Sequence, residues 1–293
     1  MLKNDFKITF VAKEIPLDLS NNILQQGFKL IHIEQENDFF DIISGNDIVV
    51  IDHYGLDTLY QQKIKESGCK LVCIDDIHEK EFYADLIINH APGVEPNDYR
   101  AQSYTKFALG LDYVLLRPLF IANAKKDKTS KEIKTAFVCF GGSDQKNYSQ
   151  KSVEALLQFD KIETIHLVVG SANQHMEHLS ELFNGTKRVK MHHALKEKKM
   201  LQLMNESDLA IAPSSGILME ILSTKCTAIS GYYVDNQREI YSGFKSIDAF
   251  YDAEDFSNLI PSIKKALQAS SQPKQQFIDG NSDIRLLSLI KSL

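Results

Sequence analysis

The sequence predicts two consecutive doubly wound α/β domains, and three observations predict them. Short apolar runs rich in β-formers alternate with amphipathic helical stretches along the chain, the pattern of βαβ units on a parallel sheet. A polar, charged run over residues 121–133 separates two such series. The length of 293 residues exceeds what one hydrophobic core usually organises, so two domains of similar size are expected. The boundaries read as 1–122 and 132–293, with the polar run as connector.

In the first series the strand candidates are residues 7–12, 29–33, 47–52, 70–75, 85–89 and 106–109, with helices over 18–26 and 57–67. The amino end departs from a doubly wound opening, which runs strand, glycine-rich turn, helix. Residues 2–6 read as the tail of a helix leading into a strand, and Lys13-Glu14-Ile15-Pro16 after that strand has no glycine. The expectation is a first domain that lacks its first βα unit, roughly 30 residues. A domain that opens on the strand at 7–12 is the alternative. The second series places strands over 134–140, 163–170, 188–192, 208–212 and 226–231, with a short run near Ala249. Its helices are expected over 147–157, 174–183, 196–205, 217–223 and 255–268. Two parallel sheets joined by one linker imply a cleft between their carboxyl ends, the edge where open α/β sheets bind ligands.

Composition excludes several classes of function. A net charge of −6, with no basic run interleaved with aromatics, argues against a nucleic-acid surface. Met1-Leu2-Lys3-Asn4-Asp5 is no signal peptide. No apolar run approaches the roughly 20 residues that span a bilayer, so a cytoplasmic protein without membrane insertion is expected. Cys69, Cys73, Cys139 and Cys226 sit in or beside apolar runs, and the first two lie one residue too far apart for a CxxC zinc pair. They read as buried thiols. His192-His193 lacks a partner set and reads as a solvated loop pair, so no metal site and no cofactor are expected.

Two segments carry the chemistry. Ser207–Pro213 reads as a buried strand running into a Ser214-Ser215-Gly216 turn and a helix, which presents backbone N–H groups and a positive dipole end to an anion. Glu220 follows about one helical turn past Gly216, within reach of the hydroxyls of a sugar attached to a phosphate there. An ordinary helix capped by Ser214 or Ser215 is the competing reading. Upstream, the strand Phe137–Phe140 ends in Gly141-Gly142-Ser143-Asp144 before a helix near Asn147, a second anion nest. Three more clusters lie at strand ends: Asp52-His53-Tyr54-Gly55-Leu56-Asp57, Ile74-Asp75-Asp76 and Asp235-Asn236-Gln237. Local packing of His53 and Tyr54, a turn role for Asp75-Asp76, a hinge role for Arg117 and helix capping by Asn236-Gln237 stay open beside any catalytic role.

This ordered set of five clusters, with Leu115–Pro118, resembles the UDP-sugar hydrolases of the pseudaminic acid pathway, over about residues 47–244. The resemblance implies two Rossmann-like domains of GT-B type with an inter-domain cleft, related to the transferase that adds N-acetylglucosamine to the peptidoglycan lipid precursor. It implies that Gly141, Gly142 and Ser143, with Ser215, Gly216 and Ile217, hold a diphosphate. Glu220 would take the ribose hydroxyls, and the Met191–Ala194 loop with His193 would flank uracil. Tyr54 and Asn236 would stand near the reacting centre. The reaction implied is hydrolysis of UDP-2,4-diacetamido-2,4,6-trideoxy-β-L-altropyranose by water attack at the anomeric carbon, without metal. Members of that family carry an N-terminal Gly-x-Gly-His loop, and nothing in residues 1–11 matches it. Loss of a general base costs on the order of 10²- to 10⁴-fold in rate. A GT-B glycosyltransferase and a catalytically inactive UDP-sugar-binding protein are therefore the alternatives, and a monomer is expected.

Overall fold

The structure is a computed structural model that describes residues 2–128, 132–269 and 276–293. Met1 and the Thr129-Ser130-Lys131 part of the expected connector lie outside them. Contacts divide the chain into two units. The first holds the residues up to Asn89, Glu95–Leu109 and Asp283–Leu293; the second holds His90–Val94 and Gly110–Ser282.

In the first unit, β1 (Thr9–Ala12) leads through α1 (Leu17–Gln25) to β2 (Lys29–His32), and the two strands pair in parallel as a sheet of their own. Next come β3 (Ile48–Ile51), α2 (Thr58–Glu66), β4 (Lys70–Ile74), β5 (Glu81–Phe82), β6 (Leu86–Asn89), β7 (Arg100–Ala101) and β8 (Lys106–Leu109). A four-stranded parallel sheet runs β3-β4-β6-β8, with the two-residue pair β5-β7 beside it. Helix α2 starts where sequence predicts because Asp57 caps it, its carboxylate accepting from the Tyr60 N–H at 2.9 Å. The buried residues of this unit include Ile64 of α2, which packs against β4, with Leu71, Val72, Leu86 and Ile87, all essentially unexposed.

The second unit opens with α3 (Pro118–Ala124), β9 (Thr135–Cys139), α4 (Tyr148–Leu157), β10 (Thr164–Val169), α5 (Met176–Leu182) and β11 (Val189–His193). It continues with α6 (Glu197–Glu206), β12 (Leu209–Pro213), α7 (Gly216–Ser223), β13 (Thr227–Gly231), α8 (Arg238–Ser246), β14 (Tyr251–Asp252) and α9 (Leu259–Gln268). All six strands are parallel in the order β11-β10-β9-β12-β13-β14. Strand side chains alternate between faces. Ala136, Val138, Ile165, Leu167, Leu209 and Ile211 face the layer that includes Val153, Leu156 and Ile263. Phe137, Cys139, Val168, Ala210 and Ala212 face the layer of Phe120, Leu203, Met219 and Phe244. Burial on both faces is why these strands read as continuous apolar runs. Chain order ends with α10 (Ser282–Lys291), whose residues from Asp283 onward belong to the first unit. All four cysteines are free and buried, as expected.

The division differs from the single break expected between 122 and 132. Helix α3 takes the start of the polar run and buries Phe120, Ile121, Asn123 and Ala124 inside the second unit. The polar tail that follows masked its apolar face. Helices α8 and α10 also lie outside the predicted elements. Gly243 and a high polar content obscure the first of these. Among the described residues no helix is long and apolar enough to cross a membrane.

One buried charge ties the first unit together. Asp85, 7% exposed, accepts from the Leu71 N–H at 2.8 Å, from Lys65, and from Lys70 at 3.3 Å. Burial pushes its carboxyl up, but the bonds from Lys65 and the Leu71 N–H outweigh burial and hold it below the usual range. A lowered folded value gives stability that is complete above the unfolded value near ~4 and is lost as pH falls through the folded one. Asp85→Asn is expected to cost about 1–3 kcal/mol at neutral pH. The gap to the parent should narrow below roughly pH 4, as read from urea unfolding at both pH values.

Candidate functional site

The strand order of the second unit reverses between β9 and β12, which pair in register Leu209–Ala136, Ala210–Phe137 and Ile211–Val138. That reversal is the switch point at whose carboxyl edge open α/β sheets take ligands. The two anion loops read from the sequence leave the sheet at this point, one from each strand. They are neighbours by construction of the sheet.

After β9, Gly141 turns the chain with φ +74°, and the loop Gly141-Gly142-Ser143 is exposed. Asp144 is buried and closes the start of α4, accepting from the Tyr148 N–H at 2.8 Å and the Ser149 N–H at 2.9 Å. The amino end of α4 is thus neutralised by its own carboxylate. Anion-binding capacity on this side rests on the loop amides, and among the described residues the N–H groups of Gly142 and Ser143 donate to no protein acceptor. A residue missed in the sequence shapes this loop. Gly170, at the end of β10, lies so close beneath it that a Cβ would stand 2.3 Å from the Gly141 carbonyl oxygen and 2.5 Å from that of Gly142.

After β12, the competing capping reading is resolved against a side-chain cap. Ser214 is fully buried and its hydroxyl pairs with the Ser230 hydroxyl at 2.9 Å. Ser215 takes the N-cap position of α7 without a side-chain cap bond, and its own N–H donates to the Pro213 carbonyl at 2.9 Å. Ser215 therefore brings no free amide, contrary to the expectation. The open donors here are the N–H groups of Gly216 and Ile217, which have no protein acceptor among the described residues. They stand at the positive end of the α7 dipole.

Glu220 sits one turn along α7 and is held by a residue 103 positions away in sequence. The Arg117 guanidinium donates through Nε at 2.8 Å and Nη2 at 2.7 Å to one Glu220 oxygen. Burial pushes the Glu220 carboxyl up, Arg117 pulls it back, and the Glu197 carboxylate pushes it up again. One Glu197 oxygen is buried without a partner. Arg117, left open in the sequence between a hinge role and contact with ligand, is thus the residue that keeps Glu220 oriented.

The Met191–Ala194 segment is mostly strand, since β11 runs through His193, and only Ala194 begins the turn, at φ +45°. His193 is exposed, whereas His192 faces inward to His166, ring nitrogens 3.0 Å apart, so the solvated-pair reading holds for one histidine of the two. Asn236 lies exposed in a short 3-10 turn, Asp235–Gln237, just after β13. Gln237, rather than Asn236, takes the N-cap position of α8 and makes no side-chain cap bond there.

Tyr54 and its neighbours belong to the first unit. The Tyr54 hydroxyl donates to Asp76 at 2.8 Å, and this bond, then burial and the charges of Asp76, Asp52 and Asp75, push its pKa up to about 12. Asp75 accepts from the His78 N–H at 2.7 Å, the turn role weighed in the sequence. His53 accepts from the Gly55 N–H at 2.9 Å, so its local hydrogen-bonding reading stands.

Comparison with solved structures fixes the class: two Rossmann-like units in one chain, a fold of the GT-B type. MurG of Acinetobacter baumannii superposes with a TM-score of 0.67 at 11% identity, covering 100% of this chain and 93% of its own. The UDP-GlcNAc 2-epimerase of Methanocaldococcus jannaschii superposes with a TM-score of 0.59 at 12% identity, over 100% and 94%. In sequence, this chain is related to the UDP-2,4-diacetamido-2,4,6-trideoxy-β-L-altropyranose hydrolase of Campylobacter jejuni, at 27% identity over 76% of this chain and 77% of the relative. The spore coat polysaccharide biosynthesis protein SpsG of Bacillus subtilis matches at 26% over 84% and 77%. An uncharacterized protein of Methanocaldococcus jannaschii matches at 28% over 78% of this chain, which spans about half (49%) of that relative's length. These relatives bear out the resemblance carried by the motifs. No family model matches the sequence.

Removing Arg117 leaves a buried carboxylate uncompensated, so Arg117→Ala is expected to destabilise by about 2–3 kcal/mol. It should also raise the Glu220 carboxyl further, read by NMR titration of its side-chain carbon. Glu220→Gln in the Arg117→Ala background should recover part of the loss in urea unfolding; no recovery would mean that the ion pair does not set the effect.

Proposed function

We propose that this chain processes a UDP-sugar, and that its reaction is hydrolysis of UDP-2,4-diacetamido-2,4,6-trideoxy-β-L-altropyranose in a nonulosonic acid pathway. The observation that carries this reading is the pair of loops at the β9–β12 switch point, whose four unpartnered amides and one open helix end suit a diphosphate. The sequence relation to the hydrolase supplies the substrate. In this assignment the amides of Gly142, Ser143, Gly216 and Ile217 hold the diphosphate, while Gly141 gives the loop its turn. Glu220, oriented by Arg117, accepts from the ribose hydroxyls, and the segment ending at His193 flanks the base. Water forms the new bond to the anomeric carbon and gives up a proton to bulk solvent as the bond from that carbon to the diphosphate oxygen breaks. The electron pair departs on UDP, where amides and helix dipole stabilise the growing charge. Tyr54 and Asn236 are assigned to the reacting centre. With a pKa near 12, Tyr54 acts there as a neutral hydroxyl, so no activity limb from it is expected below about pH 10.

Single-turnover release of UDP from the diacetamido sugar, beside calorimetry of UDP binding, tests the assignment. Glu220→Gln is expected to weaken UDP binding about tenfold. Tyr54→Phe should slow release about 10- to 100-fold with UDP affinity unchanged. Absence of UDP binding overturns the reading of the loops. Binding without release overturns the hydrolysis and leaves a UDP-sugar-binding protein. Transfer to an added alcohol in preference to water identifies a glycosyltransferase.

A further inference from the structure

Strand β11 carries the segment assigned to the base, and it is the outer strand of its sheet, paired along one edge only, with β10. Its two faces are anchored differently. Val189 and Met191 pack into the apolar layer that includes Val153 and Leu156. The alternate positions, Lys190 and His192, lie in register with His166 and Val168 of β10 and share the opposite face with them. On that face β11 brings no apolar side chain, and Lys190 is exposed. The hold there is polar. Nδ1 of His166 and Nε2 of His192 stand 3.0 Å apart, with the ring centroids 5.3 Å apart. Among the described residues this is the one side-chain hydrogen bond between β10 and β11. Just beyond it the Ala194 N–H donates to the Val169 carbonyl at 3.0 Å and the chain turns away from the sheet.

A bond between two ring nitrogens needs one of them unprotonated. With both rings neutral, one donates and the other accepts. With both protonated, two N–H groups and two positive charges face each other, and the bond is lost. His166 is buried, so solvent does little to screen that repulsion. The surroundings favour the neutral pair. Burial is the first cause that pushes both imidazoles below their ordinary value, and Lys190 of β11 and Lys199 of α6 push the same way. The His192 ring adds to the effect on His166, and Glu206 of α6 pulls both back in part. A lowered folded value makes the contribution of this bond complete above about pH 6.5. It is lost as pH falls through the folded values.

We propose that His166 and His192 are positioning residues for the candidate site: their ring-to-ring bond fixes the carboxyl end of β11, and with it the place of His193 beside the base, and proton uptake by the pair releases that end. The proposal rests on the assignment of this segment to the base. It separates two parts of the site, because the diphosphate loops leave from β9 and β12, on the far side of β10. Acid therefore weakens the hold on the base and leaves the diphosphate loops in place.

Two measurements on the full chain test this. The first is amide hydrogen exchange without ligand at about pH 7.5 and about pH 5.5, on either side of the ordinary histidine value and corrected for the intrinsic rate. Protection of the amides from Lys190 to Ala194 is expected to fall about tenfold at the lower pH, while that of β9 and β12 holds. The second is calorimetry with UDP and with inorganic pyrophosphate, a probe that has no base. His192→Phe keeps a ring but offers His166 no partner atom, so it is expected to weaken UDP about tenfold at neutral pH without weakening pyrophosphate. His192→Gln offers an amide that does not titrate, so it is expected to recover most of that loss and to lose less UDP affinity than the parent in acid. Unchanged protection of β11, or a loss spread equally over β9 and β12, overturns the proposal. An equal acid loss in His192→Gln and the parent does so too, as does a pyrophosphate loss that matches the UDP loss. Failure of the parent to bind UDP at neutral pH overturns the base assignment instead, and the exchange measurement then decides the histidine pair by itself.

Discussion

Parallel pairing of β9 with β12 is the contact on which the candidate site depends. Its register places the ends of the two strands side by side, so two turns separated by more than seventy residues in sequence open at one edge. Neither turn would suffice alone. The first has its helix end already occupied by Asp144, and the second has only two open amides. What the sheet adds is convergence, and convergence of N–H groups is what distinguishes an anion site from a capped helix. Ser214 contributes by turning away: its hydroxyl bonds Ser230 inside the sheet layer, so it is not spent on the amides of α7.

Three carboxylates removed from solvent differ in how many donors hold them. Asp85 has two lysines and an amide, Asp144 has two amides, and Glu220 has one guanidinium. Glu220 is the weakest case: burial outweighs its single partner and its carboxyl is raised rather than lowered. A carboxylate left short of donors in a site of converging amides is suited to accept further ones, and ribose hydroxyls are donors of that kind. The under-satisfied partner count and the proposed role thus have the same origin.

How much of this was legible in the sequence follows from how far each signal reaches along the chain. Strands β9, β10, β12 and β13 of the second unit were readable because two-sided burial writes continuous apolar runs, and α2 because Asp57 and the following pattern lie within a few residues. Arg117 was not readable as a partner of Glu220, nor Gly170 as the floor of the Gly141–Ser143 loop, since both depend on packing between distant segments. The two-residue strands β5 and β7 carry no period at all. Helix α8 shows the converse, a helix whose polar face and central glycine hid a buried side formed by Tyr241 and Phe244.

Hydrogen-bond direction narrows the proton chemistry open to the first unit. His53 accepts an amide proton at Nδ1, so its neutral ring carries its proton on Nε2, and protonating Nδ1 would break a bond that shapes the Tyr54-Gly55 turn. Tyr54 is a donor with its proton committed to Asp76, and the carboxylates around it resist removal of that proton. Asp76 differs from both, because one oxygen accepts from Tyr54 while the other is buried without a partner. Of these three groups, Asp76 is the one with an unpaired oxygen, and Tyr54 is the group that orients it.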